Sequence, residues 1–192
     1  GAERMEYLSH CHVLVVGLGG VGAYAAEQIC RAGIGHMTIV DADTVNDSNI
    51  NRQLPALHST LGMQKAEVVG QRLLDINPRL KLTILNEFLR DERTEEVLSA
   101  QKYDFIVDAI DSLSPKAYLL YHAYRREIPI VSSMGAGAKI DPSQVKIADI
   151  SKTCNCALAK AVRKRLRGMG LNKGIPVVFS TEIANPEAVV EV

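Results

Sequence analysis

The sequence predicts an α/β protein: a doubly wound, mainly parallel sheet with helices on both faces, followed by a C-terminal antiparallel hairpin and a basic helix. Three observations predict it. Apolar runs rich in β-branched residues alternate with longer stretches of helical spacing; a glycine-rich turn joins the first run to the first helical stretch; and the pattern changes after Ser132.

The first strand is His12–Val16. Val21–Ala32 follows with helical spacing, then a strand over Met37–Val40. Lys65–Ile76 reads as a helix and Leu80–Leu85 as a strand. Glu92–Leu98 is the next helix, Phe105–Asp108 the next strand, Pro115–Arg126 a helix opened by proline, and Ile128–Ser132 a strand. The β-α-β-α-β alternation implies a parallel sheet, and right-handed crossovers make it doubly wound. The ligand crevice of such a sheet lies beyond the carboxyl ends of its strands.

Beyond Ser132, Ala138–Ile140 and Val145–Ala148 flank the turn-like Asp141-Pro142-Ser143-Gln144, which predicts an antiparallel hairpin. A basic helix over Leu158–Arg167 and a last β-like run, Val177–Ser180, complete the chain. Residues 1–192 are expected to form a single domain, with a nucleotide-binding part at 1–133 and the hairpin, basic helix and final strand at 134–192. Gly1-Ala2, read as a tag remnant, carries no structural weight. The end at Glu191-Val192 has no stop signal and reads as a truncation.

Of the 192 residues, 23% are charged and 47% hydrophobic, which excludes wholesale disorder. No apolar run is long enough for a membrane-spanning helix, and no basic segment followed by an apolar stretch opens the chain, so neither a membrane nor secretion is expected. Four cysteines are too few for a disulfide scaffold and fit a cytoplasmic location. The 22 basic and 22 acidic side chains cancel, but unevenly. Lys152, Lys160, Arg163, Lys164, Arg165, Arg167 and Lys173 lie in a stretch with no acidic residue, leaving 15 basic against 22 acidic elsewhere. Helical spacing puts Leu158, Val162 and Leu166 on one face, with Lys160, Arg163, Lys164 and Arg167 largely on another. Such a patch suits RNA phosphates; a solvated helix face is the plainer alternative.

The strongest motif is Val13-Leu14-Val15-Val16 running into Gly17-Leu18-Gly19-Gly20-Val21-Gly22, with Asp41 ending the next strand. Gly17, Gly19, Gly20 and Gly22 permit a tight turn and close approach of backbone to phosphate, and the helix N-terminus supplies unpaired amides. Asp41 is placed to accept hydrogen bonds from ribose hydroxyls. No G-x-x-x-x-G-K-[ST] occurs, which excludes a P-loop enzyme. The polar segment after Asp41 contains Asp43, Asn49, Arg52 and Gln53 and leads to Lys65 at a helix start. Asn49, Arg52 and Lys65 are donors suited to a triphosphate. Asp111, just past a strand end, is placed to hold Mg²⁺ through one carboxylate. Each has a bland alternative: Lys65 as solvated surface, Arg52 in a structural ion pair, Asp111 as a helix cap.

Together, Asp-x-Asp, Asn-x-x-Arg-Gln, the helix-opening lysine and Asp108-Ala109-Ile110-Asp111 resemble the ThiF/MoeB-type adenylating enzymes, relatives of the ubiquitin-activating enzymes. The resemblance implies a Rossmann-like adenylating domain in which a carboxylate attacks the α-phosphate of ATP, with Arg52, Lys65 and Asp111 as catalytic residues. It also implies a homodimer, because the family's ATP site borrows from its partner. Ser132–Ala138, Lys139–Gln144, Asp149–Thr153 and Val178–Glu182 are further similar to the tRNA threonylcarbamoyladenosine dehydratases (TcdA/CsdL-like). That likeness implies ATP-dependent cyclisation of threonylcarbamoyladenosine at position 37 of tRNA, with a sulfur-transfer protein as a further partner.

Three departures accompany it. The family's arginine upstream of the first strand has no counterpart, Arg4 not being cast in that role; Ile175-Pro176-Val177-Val178 stands where some relatives have a cysteine; and the family's C-terminal segment is missing. Cys154-Asn155-Cys156 sits where ThiF and MoeB proteins begin a zinc site, but no cysteine follows, and four ligands are the rule, so zinc is not expected. A reactive thiol at Cys154 or Cys156, beside Lys152 and Lys160, stands against an incidental pair in a loop. Cys11 and Cys30 read as buried small hydrophobes, and the five histidines show no metal or catalytic spacing. Two rival functions remain open: an activator of a ubiquitin-like sulfur carrier, and a nicotinamide-binding oxidoreductase or non-catalytic nucleotide-binding module.

Overall fold

Strand β1 (His12–Val16) is buried along its whole length, as a central parallel strand covered on both faces must be. In the computed structural model, which describes residues 1–185, β1 pairs in parallel with β2 (His36–Val40) and β4 (Phe105–Asp108). Beyond them lie β3 (Lys81–Leu85) and β5 (Ile130–Ser133). Two more strands, β6 (Val145–Asp149) and β7 (Pro176–Ser180), extend the sheet to the order β3-β2-β1-β4-β5-β7-β6. The order reverses direction at β1, so the crevice between the β1 and β4 ends is the topological switch point where such folds bind ligands.

Alternate side chains of β1 feed two cores. Val13 and Val15 pack with α2 (Gly22–Arg31) and α3 (Lys65–Ile76). Leu14 and Val16 pack on the other face with α4 (Asp91–Ala100), α5 (Leu113–Arg125) and α6 (Ala157–Gly168). No helix among the described residues is long and apolar enough to cross a membrane. The chain end at Glu191-Val192, read as a truncation, lies outside the described residues.

Two features differ from expectation. A first helix, α1 (Ala2–His10), precedes β1 and buries none of its residues; lacking an apolar stripe, it leaves no periodic signal. The antiparallel strand is present, but its partner is not Ala138–Ile140. Val145–Asp149 pairs instead with Pro176–Ser180, Val145 opposite Ser180, while β7 runs parallel to β5. The turn-like sequence closes on itself, with the Asp141 carboxylate capping a single 3₁₀ turn over Pro142–Gln144. Ala138–Ile140 becomes a loop tied down by Lys139 Nζ, which donates to the carbonyls of Asn155 and Ser180 at 2.8 Å each. The Ile140 and Asp141 amides donate to Glu182. A ladder at the edge of an existing sheet satisfies more backbone groups than an isolated hairpin would.

Candidate active site

The four motif glycines divide into two kinds. Gly17, at φ +87°, has its Cβ direction 2.7 Å from the Ala109 carbonyl oxygen, and a Cβ on Gly22 would lie 1.7 Å from Gly17 O. These two are required by the fold itself, where loop, helix and the β4 end touch. A Cβ on Gly19 would meet only the Gln53 side chain, at 3.6 Å, and one on Gly20 would meet Arg52 no closer than 3.6 Å, both ordinary contact distances. Their bareness leaves the backbone open to a ligand, not to a neighbouring strand.

Asp41 closes the β2 side of the crevice. One carboxylate oxygen accepts the Leu18 amide at 2.6 Å and the other the Asp43 amide at 2.8 Å. Burial pushes this carboxyl above the usual carboxylate range, and the two amides oppose that rise. Lys65 is only 5% exposed, so it is not solvated surface; its Nζ meets the Asp43 carboxylate at 3.0 Å and both line the crevice.

The polar segment between them is a folded loop. Asn46 and Asn49 cap each other around the turn Asp47–Asn49, the Asn49 Oδ1 accepting the Asn46 amide at 3.0 Å. Asn49 therefore shapes the loop and is absent from the crevice lining. Arg52 forms no ion pair among the described residues; its guanidinium donates to Ser48 O at 2.9 Å and Asn51 Oδ1 at 2.7 Å, beside Gly20. Gln53 lines the crevice next to Gly19, with a buried Oε1 that has no partner among the described residues.

Across the crevice, Asp111 is exposed and lines the opening. Its carboxylate makes no hydrogen bond or ion pair among the described residues, and Ser112, not Asp111, occupies the cap position of α5. A free carboxylate at a strand end, facing an anion-binding loop, has the donor chemistry of a Mg²⁺ site shared with phosphates. Val40, Leu89, Ile110 and Pro115 supply an apolar wall, with half-exposed Phe88 at the rim. One end of the crevice thus suits a flat base and the other a charged group.

Sequence reasoning misses what lies under Asp111. Asp108 and Lys116 are fully buried and paired at 2.7 Å, with Ser132 Oγ donating to Asp108 at 2.5 Å. Asp108 is visible as the start of Asp108-Ala109-Ile110-Asp111; nothing local marks Lys116, whose partner is eight positions away across a strand-to-helix turn.

On the far side, α6 buries Ala159, Val162 and Leu166. Lys160, Lys164, Arg165 and Arg167 are exposed. Arg163 departs from the expected basic face: half-buried, its guanidinium donates to Thr153 O at 2.9 Å and to the Thr153 hydroxyl. The Cys156 thiol accepts the Ala159 amide at 3.4 Å as the helix cap, while Cys154 is exposed.

A model of the ThiF family matches residues 1–185. The chain belongs to the ThiF family. Within it, this ThiF chain is 43% identical over 182 residues to the tRNA threonylcarbamoyladenosine dehydratase of Bacillus subtilis, a match covering 95% of the chain and 71% of that protein. To the Escherichia coli dehydratase it is 40% identical over 189 residues, covering 95% and 70%. The crystal structure of the E. coli dehydratase TcdA in complex with ATP matches it with a TM-score of 0.91 and 38% identity, over 96% of this chain and 78% of that one. The ThiF likeness therefore includes the second half, with its edge strand and basic helix.

Proposed function

We propose that this chain is an ATP-dependent tRNA threonylcarbamoyladenosine dehydratase. The observation that carries the reading is its likeness, along nearly its whole length, to proteins named for that activity. In this reading the apolar wall takes the adenine, Asp41 the ribose hydroxyls, and the Gly19–Gly20 backbone with Gln53, Arg52 and Lys65 the phosphates. Asn49 acts by holding the loop that carries Arg52 and Gln53. Asp111 is the residue to hold Mg²⁺, which when bound shields phosphate charge.

The substrate carboxylate attacks the α-phosphorus, the bond to pyrophosphate breaks, and Lys65 and Arg52 offset the charge growing on the leaving group. The buried position of Lys65 makes that charge more effective than a solvated one. Attack within the same side chain on the adenylated carbonyl then expels AMP. AMP carries off one oxygen of the original carboxylate, so the nucleoside loses a net water.

Lys160, Lys164 and Arg167 present positive charge to tRNA phosphates, while Arg163 secures the loop before α6. A cytoplasmic homodimer completes the proposal. The test is ATP-dependent conversion of tRNA bearing threonylcarbamoyladenosine, followed by nucleoside mass spectrometry. Loss of one water from that nucleoside is expected; ATP turnover stimulated only by a Gly-Gly-ended carrier protein would overturn the reading.

A further inference from the structure

The backbone of Ile110, the residue immediately before Asp111, is held at both its amide and its carbonyl by groups with no access to solvent. The Ile110 amide donates to Asp108 Oδ1 at 3.0 Å, and the Ile110 carbonyl accepts Lys116 Nζ at 2.8 Å. Lys116 and Asp108 are each 0% exposed and 2.7 Å apart, and Ser132 Oγ gives Asp108 a further donor. One residue earlier, the Ala109 amide donates to Val16 O at 2.8 Å and the Ala109 carbonyl lies against Gly17. The segment is thus tied at once to the sheet, to the glycine loop and to α5.

A buried ion pair is a poor device for stability alone, since apolar side chains of the same volume commonly do as well. Here the charges grip backbone, and the backbone they grip carries the crevice carboxylate. We infer that Lys116, through Asp108 and Ser132, is a positioning residue. It fixes the Ile110 peptide so that Asp111 meets the metal ion of a bound nucleotide at a set distance from the glycine loop. The inference rests on the adenylating reading above and adds to it a residue outside the crevice. Groups that orient a metal ligand typically change metal affinity by about 10- to 100-fold when removed.

The experiment uses the whole protein and the double variant Asp108→Asn with Lys116→Met. It is neutral, keeps an oxygen acceptor for the Ile110 amide, lets the Ser132 hydroxyl accept from the new side-chain amide, and removes the ion pair together with the tether to the Ile110 carbonyl. Calorimetry gives the Kd for ATP with and without Mg²⁺, and pyrophosphate exchange with modified tRNA gives kcat and KM. Metal-free ATP affinity should stay within about twofold of wild type, while the gain from Mg²⁺ shrinks by about 10-fold or more. The exchange kcat should fall by about 10-fold or more with ATP KM little changed, the mark of lost geometry rather than lost binding. A folded double variant that keeps both the Mg²⁺ gain and kcat overturns the inference, as does a wild type whose ATP affinity is indifferent to Mg²⁺. Should the double variant fail to fold, Ser132→Ala decides by the same two ratios, with no change in either overturning it. Wild-type protein that binds Mg²⁺-ATP but never dehydrates tRNA would instead overturn the substrate, leaving the positioning role standing.

Discussion

Gly19 and Gly22 share a motif and differ in what surrounds them. A Cβ at Gly22 collides with backbone at 1.7 Å, whereas at Gly19 it meets a side chain at an ordinary 3.6 Å. Gly22→Ala is therefore expected to cost about 3 kcal/mol or to prevent folding, read by urea denaturation. Gly19→Ala should fold with stability changed by less than about 1 kcal/mol and lose ATP affinity, because the methyl group covers the backbone that phosphate approaches. Asp111→Ala removes an exposed carboxylate with no partner among the described residues. Its stability should shift by no more than about 0.5 kcal/mol while pyrophosphate exchange is lost. At this scale the crevice is legible in the sequence: glycine spacing, Asp41, Gln53, Lys65 and Asp111 all line or abut it. Asn49 is not, since an amide that caps its own loop and one that meets a ligand look alike in sequence.

The basic helix shows how far periodicity reaches. Val162 and Leu166 point inward as the spacing requires, and Lys160, Lys164 and Arg167 point out. Charge reversal at those three positions should weaken tRNA binding at moderate salt. It should also flatten the dependence of log Kd on log salt by roughly 0.7 to 0.9 for each phosphate no longer neutralised. Unchanged tRNA affinity in a filter-binding titration would reduce the helix to a solvated face. Arg163 belongs to a different experiment. It donates to Thr153 across ten residues of chain, so Arg163→Ala should lower thermal stability more than tRNA affinity. Nothing in a 3.6-residue period reveals that a long cation will fold back onto a carbonyl. The edge strand teaches the same limit: Val145–Asp149 is a strand as its pattern indicates, but its partner was decided by an edge that β7 made available.

Across the whole molecule, several ionisable groups tie elements together, and their shifts set how stability follows pH. Glu27 on α2 pairs with Arg72 on α3 at 2.6 Å and with Arg31 at 2.8 Å. The Arg72 hydrogen bond above all holds its carboxyl below the usual range. Asp141 is held low by Ser143 and Gln144. Burial holds the buried His12 imidazole below its ordinary 6.5. A carboxylate with a depressed folded pKa contributes stability above its unfolded value and loses it as pH falls through the folded one. A histidine held neutral does the same, its contribution waning as pH drops below 6.5. Asp41, whose carboxyl is raised by burial, works in the opposite direction and offsets part of the loss. The melting temperature should thus hold near pH 7, decline from pH 6.5 downward, and fall more steeply below about pH 4.5 as Glu27 protonates. Glu27→Gln should flatten the acid limb in a series of calorimetric melts.

Local sequence already dictates most of the strands and helices (α1 and the Ala138–Ile140 loop being the exceptions), the place of the glycine loop between them, and the gathering of positive charge in one stretch near the end. These follow from interactions within a few residues: side-chain period, turn chemistry and helix capping act locally and leave a local trace. Tertiary contacts bring Val145–Asp149 into the main sheet, turn Arg163 inward, and carry Lys116 to Asp108 and the Ile110 carbonyl beneath the crevice. Each depends on groups distant in the chain meeting in space, and for Lys116 and Asp108 they meet where water is excluded. The cost of leaving a buried polar group unpaired then selects the partner, and that selection leaves no mark on the residues to either side.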